Sequence, residues 1–347
     1  TGDPGYYARA DRAYAAALRR DPRDLGAVIG AGTLANLRHD FRAGLRLGQR
    51  AHALEPGLAR PYVVLADAQI ELGRYDAALD SIQRLVNEKP GLAAYARASY
   101  YRELSGDREG AIEAMRLALS AGGAPESVAY VQVLLGDLEL GHGHVGAGRD
   151  AYRAALAAVP DYPQGLAGLA RVALAGGDAE KAAARLRRST DRLPLTTNLT
   201  LLADVELAAG HRKAAVAQLE VVRAQQRLLA AAGAVPDAER VLFEANHGSP
   251  ARAAALGRDV WRQAPSVRSA DALGWALTRS GRAVAGLRWA QRALRLGSRD
   301  PLFRLHAGIA ARQAGRSRQA ARDLRSAALG RALLSPTDVR RLEGALR

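Results

Sequence analysis

The side chains best suited to chemistry lie near the C-terminal end. Asp271 and Trp275 are four residues apart, which puts them on one helix face. His306 falls one position beyond Asp271 in a 34-residue period that runs through the chain. A carboxylate, an imidazole and a large amphipathic ring on one groove wall would clamp a peptide or a small polar ligand. The same three residues also make a buried support, with Trp275 filling a gap between elements and His306 satisfying Asp271. Replacing Asp271 by Ala separates the two readings. A clamp loses binding at unchanged melting temperature, whereas a support loses stability.

Other candidate chemistry is sparser. His142 and His144, in a Gly-His-Gly-His run, have the look of two metal ligands. No third ligand stands near them in sequence, and the glycines suit a turn. Glu244 and His247 read as a surface pair flanking a turn. Asp76, Asp107 and Asp178 read as helix-start residues, since carboxylates favour helix N-termini. There is no nucleophile elbow, no phosphate-binding glycine loop after a strand and no His-Glu-x-x-His. Metals and cofactors are therefore not expected, and neither is catalysis.

Composition sets the remaining bounds. The chain has 347 residues, no cysteine and a formal net charge of +15. Disulfides, thiolate nucleophiles and cysteine-based zinc sites are excluded. Lysine occurs only at Lys89, Lys181 and Lys213, so the positive charge is arginine, a usage that fits a GC-rich coding sequence. The net field favours an acidic partner. No apolar run is long enough to span a bilayer.

The elements that must position these residues follow from the period. Pro22, Pro56 and Pro90 fall 34 residues apart, as do Pro160 and Pro194, and Gly274 and Gly308. Between Pro61 and Pro90, apolar residues at three-and-four spacing make two helical stripes, Tyr62/Leu65/Ala66 and Ala78/Ile82/Leu85, with Gly73 at the bend and Pro90 at the stop. One such hairpin cannot bury its faces alone, so copies must stack. The period, the Leu-Gly half (Leu135-Gly136, Leu273-Gly274) and the Ala/aromatic half (Gly148, Tyr152, Ala155, Pro160) resemble the tetratricopeptide repeat.

The resemblance implies an all-α, right-handed α-solenoid superhelix of about nine to ten hairpins over residues 1–347, read as one domain. Residues 1–22 form a half repeat, 25–334 about nine repeats, and 336–347 a capping helix started by Ser335 and Pro336. Repeat eight begins near Val235, about one helical turn late, so Ala214–Ala232 is expected as one extended helix. In this family the first helices line a concave groove. The positions not used for the seam are Asn36, Asp67, Arg97, Tyr101, Tyr130, Asp137, Arg171, Asn198, Asp271, Trp275 and His306, with Glu239, Phe243 and Arg312 beside them.

Two groove chemistries of the family are missing. The carboxylate clamp needs Lys, which no groove position carries. The asparagine ladder is replaced by Gly30, Val64, Ala98, Leu134, Gly168, Leu202, Ala272 and His306. The stretches Thr1–Tyr7, Ser266–Leu277 and Leu302–Ile309 resemble a group of bacterial, often actinobacterial, exported or membrane-anchored tetratricopeptide proteins. Arg268 stands where that group tends to have His. The resemblance implies a protein or peptide partner, an envelope setting and an anchor upstream of residue 1. The expected function is a non-enzymatic scaffold. The alternatives are an anionic-surface or nucleic-acid module, for which clustered basic residues with stacking aromatics are lacking, and a small-ligand site in the C-terminal repeats.

Overall fold

The computed structural model describes residues 5–347, and these contain α-helices, one 3-10 turn and no strand. Helix α1 (Gly5–Arg20) leads into antiparallel pairs. They are α2–α3 (Leu25–Leu37, Phe41–Leu54), α4–α5 (Pro61–Glu71, Tyr75–Glu88), α6–α7 (Leu92–Leu104, Arg108–Ser120) and α8–α9 (Pro125–Gly141, Val145–Ala158). They continue as α10–α11 (Pro163–Ala175, Ala179–Arg192), α12–α13 (Thr196–Ala208, Arg212–Ala231) and α14–α15 (Ala238–His247, Pro250–Gln263). The last are α16–α17 (Val267–Arg279, Ala283–Ala293) and α18–α19 (Pro301–Gln313, Ser317–Leu329), followed by a turn at Arg331–Leu333 and α20 (Pro336–Leu346).

The expected helix starts are present. Asp107 and Asp178 accept from the amides of Gly110 and Lys181 at 3.0 and 2.9 Å, and Ser335 accepts from that of Asp338 at 3.2 Å. Helix α13 is 20 residues long where its counterparts have 11 to 14, so the late start of the next hairpin is an added helical turn. Close packing is set by small residues. The buried Tyr152 ring lies between Gly136 and Gly168, and a Cβ at Gly136 would sit 2.5 Å from it.

The solenoid touches itself, which the repeat pattern does not announce. Turns within the early hairpins meet the joints between late ones. His39 Nδ1 lies 3.3 Å from the Val235 carbonyl, 196 residues away. The Val267 amide donates to Tyr75 Oη at 2.7 Å, over 192 residues, and Arg108 donates to the Arg299 carbonyl at 2.8 Å, over 191. Gly73 has φ +68°, and its missing side chain leaves room for the Pro265 carbonyl. Arginines close the seam on backbone carbonyls, Arg38 on Gly233, Arg42 on Arg262 and Arg171 on Leu333. One apolar core joins both windings, with Ala66, Ile70, Tyr75 and Ile82 packed on Val267, Ala270, Ala293 and Phe303.

Helix α20 packs on the last hairpin, with Leu342 clustered on Leu305 of α18 and Leu324 of α19, and it also reaches across the solenoid. It lies inside the winding. Thr337 donates to Asp204 of α12 at 3.0 Å, Arg341 stacks over Trp275 of α16, and Arg312 of α18 donates to the Ala345 carbonyl. Its Ser335 cap and the leucines Leu333 and Leu334 before it form part of an inner wall.

Candidate functional site

Closure of the windings turns the concave face into a chamber of about 920 Å³. First helices of both windings line it, and α20 with the turn before it covers one side. A second cavity of about 470 Å³ adjoins it and shares Asp67, Glu71, Arg97, Tyr100, Glu239 and Arg268.

The expected groove residues separate into three sets. Asp67, Arg97, Tyr130, Asp137, Arg171 and His306 line the chamber, together with Glu239 and Phe243. Asn36 lines the smaller cavity and donates to the Val64 carbonyl at 3.0 Å. Tyr101, Asn198, Asp271, Trp275 and Arg312 do not reach either. Tyr101 faces Asp76 and Asp80 of α5, and burial and those carboxylates hold its hydroxyl above the usual range. Asn198 donates to Ser189 Oγ at 2.8 Å inside the seam.

The Asp271–Trp275–His306 constellation is assembled, but buried. Each of the three is 1% exposed. His306 Nδ1 lies 2.9 and 3.0 Å from the two Asp271 oxygens. The Trp275 ring stacks on His306 at 4.2 Å and 11°, and its Nε1 donates to Asn246 at 3.0 Å. The groove-facing reading is therefore corrected for Asp271 and Trp275. The small Ala and Gly positions around them let the rings sink into the seam. His306 alone keeps contact with the chamber, and its Nε2 is buried without a partner.

Arg97 grips Asp67 with two bonds, at 2.8 and 2.7 Å. Tyr152 Oη donates to Asp137 at 2.7 Å, and Arg171 Nη1 donates to Leu333 at 2.6 Å. Arg268 lies 3.6 Å from Glu239 and 3.5 Å from Tyr100 Oη. Its position, marked in the sequence as a departure toward arginine, is the cation of an acidic partition.

The chamber is acidic inside a basic protein. Asp67, Glu71, Glu103, Asp137, Asp204, Glu239, Asp300 and Asp338 face three arginines, Arg97, Arg171 and Arg268. Burial pushes the carboxyls of Glu71, Asp137, Asp204, Glu239 and Asp300 up from their ordinary range. Burial, with Asp300 and Asp137 nearby, pushes Glu103 up to about 7. An acidic ligand, expected from net charge alone, does not suit this lining.

The remaining candidates are structural. His144 Nδ1 lies 2.8 Å from the buried Glu139 carboxylate, and His211 meets Glu206 in the same way at 2.8 Å. No group of three metal-ligating side chains occurs among the described residues. Glu244 and His247 do not pair as the sequence suggested. Glu244 holds the Ser249 amide and Arg252, each at 2.9 Å, while His247 turns inward to lie 3.7 Å from Asp204.

A family model described as tetratricopeptide repeat matches residues 35–99, and the hairpin geometry continues on both sides of that segment. The matched segment carries the tetratricopeptide repeat. Among solved structures, the solenoid is similar to the human IFIT1 dimer with PPP-AAAA, at 15% identity over 85% of this chain and 70% of that one, TM-score 0.55. It is also similar to PilW, a type IV pilus biogenesis factor, at 19% identity over 58% of this chain and 92% of that one, TM-score 0.47. A third is YrrB, a tetratricopeptide protein with an unusual peptide-binding site, at 14% identity over 54% and 95%, TM-score 0.36. No curated protein matches the chain by sequence.

Of the lining that sequence reasoning missed, Glu71, Glu103, Arg268 and Asp300 sit at helix ends and Tyr100 lies one turn inside α6. Asp67 and Glu71 are four apart on one helix, and that spacing was the available signal.

Proposed function

We propose that the chain is a non-enzymatic scaffold that holds a segment of a partner protein at its concave chamber. What supports this is a lining of charged and aromatic groups left facing solvent space in a solenoid that otherwise buries its inner helices. At the mouth Tyr130 is 48% exposed, next to the Arg97–Asp67 pair. An aromatic platform beside a bidentate ion pair recognises side chains without performing a reaction on them. Phosphate-rich ligands are disfavoured there, since eight lining carboxylates would repel them.

A bacterial cell-envelope setting is part of the same proposal, supported by the resemblance carried by Ser266–Leu277 and Leu302–Ile309. No helix among the described residues is long and apolar enough to cross a membrane. Fractionation of cells carrying the native gene tests the location.

The binding role is tested by selecting peptides from a displayed random library on the intact chain, with a Tyr130→Ala/Arg97→Ala variant in parallel. Sequences enriched on the wild type should be lost from the variant. Equal enrichment on both would overturn the chamber as the binding face.

A further inference from the structure

Among the described residues, one set of carboxyls on the chamber wall makes no ion pair, and a buried ring nitrogen on the same wall lacks a partner. Glu103 on α6, Asp137 on α8 and Asp300 at the start of α18 all line the chamber, and Asp300 and Asp137 sit close enough to Glu103 to raise its carboxyl. No ion pair among the described residues includes any of the three. Tyr152 donates to one Asp137 oxygen, and Asp300 Oδ1 accepts the Leu302 and Phe303 amides at 2.7 and 3.0 Å, so both side chains are held in place. Arg268 and Arg108 temper Glu103, and Arg171 tempers Asp137, all from a distance rather than in contact.

His306 lines the same chamber. In the neutral ring Nδ1–H donates to the Asp271 carboxylate, which leaves Nε2 as an acceptor. That nitrogen belongs to a side chain 1% exposed, on the chamber wall, with no partner. A buried unmet acceptor costs free energy, and a ligand donor removes that cost.

We propose that this region is a binding site for a protonated primary amine. Glu103, Asp137 and Asp300 supply the charge and His306 Nε2 accepts from the ligand. The proposal deepens the scaffold reading and rests on it, by giving the chemistry of the group that enters. A lysine side chain of a partner segment and a free polyamine present the same ammonium head. A volume of about 920 Å³ is in the range of small-molecule sites and takes either. Because Glu103 titrates near neutrality, uptake of the cation displaces a proton, and binding strengthens as pH rises from 6 to 8.

Calorimetric titration of the full chain with spermidine, with acetyl-Gly-Lys-Gly-amide and with its Nε-acetylated form tests this. Saturable binding of either cation, absent for the acetylated peptide, is expected. Glu103→Gln and Asp300→Asn, the second of which keeps the helix cap, should each weaken it about tenfold, roughly one ion-pair's worth. Spermidine alone binding identifies a free amine as the source, and the peptide alone a partner's lysine. No saturable binding of either at pH 8, or unchanged affinity in folded Glu103→Gln and Asp300→Asn, would overturn the ammonium site. Library peptides that still depend on Tyr130 and Arg97 in that case would leave the scaffold reading standing.

Discussion

At the scale of single residues, Asp271 shows what sequence register can and cannot say. The spacing rightly brought a carboxylate, an indole and an imidazole together, because helical repeats place equivalent positions side by side. It could not give their rotation toward groove or seam, which depends on how much room the neighbouring Ala and Gly leave. Stability should therefore fall in Asp271→Ala by about 3 kcal/mol, the usual cost of stranding one member of a buried pair. Urea unfolding measures it, and a loss within about 0.5 kcal/mol, as at exposed sites, would contradict the burial. Glu103 makes a second prediction. Its folded carboxyl titrates near 7 against an unfolded value of 4.5, so the folded state holds a proton that the unfolded state has lost in that window. Stability contributed by Glu103 is then present below about 4.5 and lost as pH rises to 7. His142, lowered to about 4 by burial and the nearby Arg108, works in the opposite direction between about 4 and 6.5. The difference in melting temperature between wild type and Glu103→Gln isolates the first effect. It should move in favour of the variant between pH 5 and 8, and a flat difference would refute the assignment.

At the scale of elements, most boundaries were legible. The extended α13, the hairpin at 238–263 and the closing helix started by Ser335 all follow from proline stops, glycine bends and cap residues, which are local signals. The meeting of windings was not legible. Its donors are arginine side chains and its acceptors backbone carbonyls at joints, and carbonyls leave no mark in a sequence. Arginine usage that looked like coding bias is partly seam chemistry at Arg38, Arg42, Arg108 and Arg171. Tyr75 is the best place to test that seam, since its hydroxyl alone receives the buried Val267 amide. Tyr75→Phe should cost about 1–3 kcal/mol by leaving that amide unmet. The change should also make unfolding less concerted, with urea transitions at N- and C-terminal fluorescence probes separating. Coincident transitions at full stability would show the contact to be incidental.

At the scale of the whole molecule, repeat arrays usually obey nearest-neighbour energetics, each hairpin answering only to the next. Here a second set of contacts spans 191 to 196 residues and matches one row of turns to another row of joints, step by step. Open solenoids can gain or lose a unit by unequal recombination and remain sound. In this chain, duplicating one hairpin between α9 and α14 would displace every later joint from its facing turn at once. Copy number in that interval is therefore locked, like teeth on meshed racks, and variation in length among natural relatives should collect at the two ends.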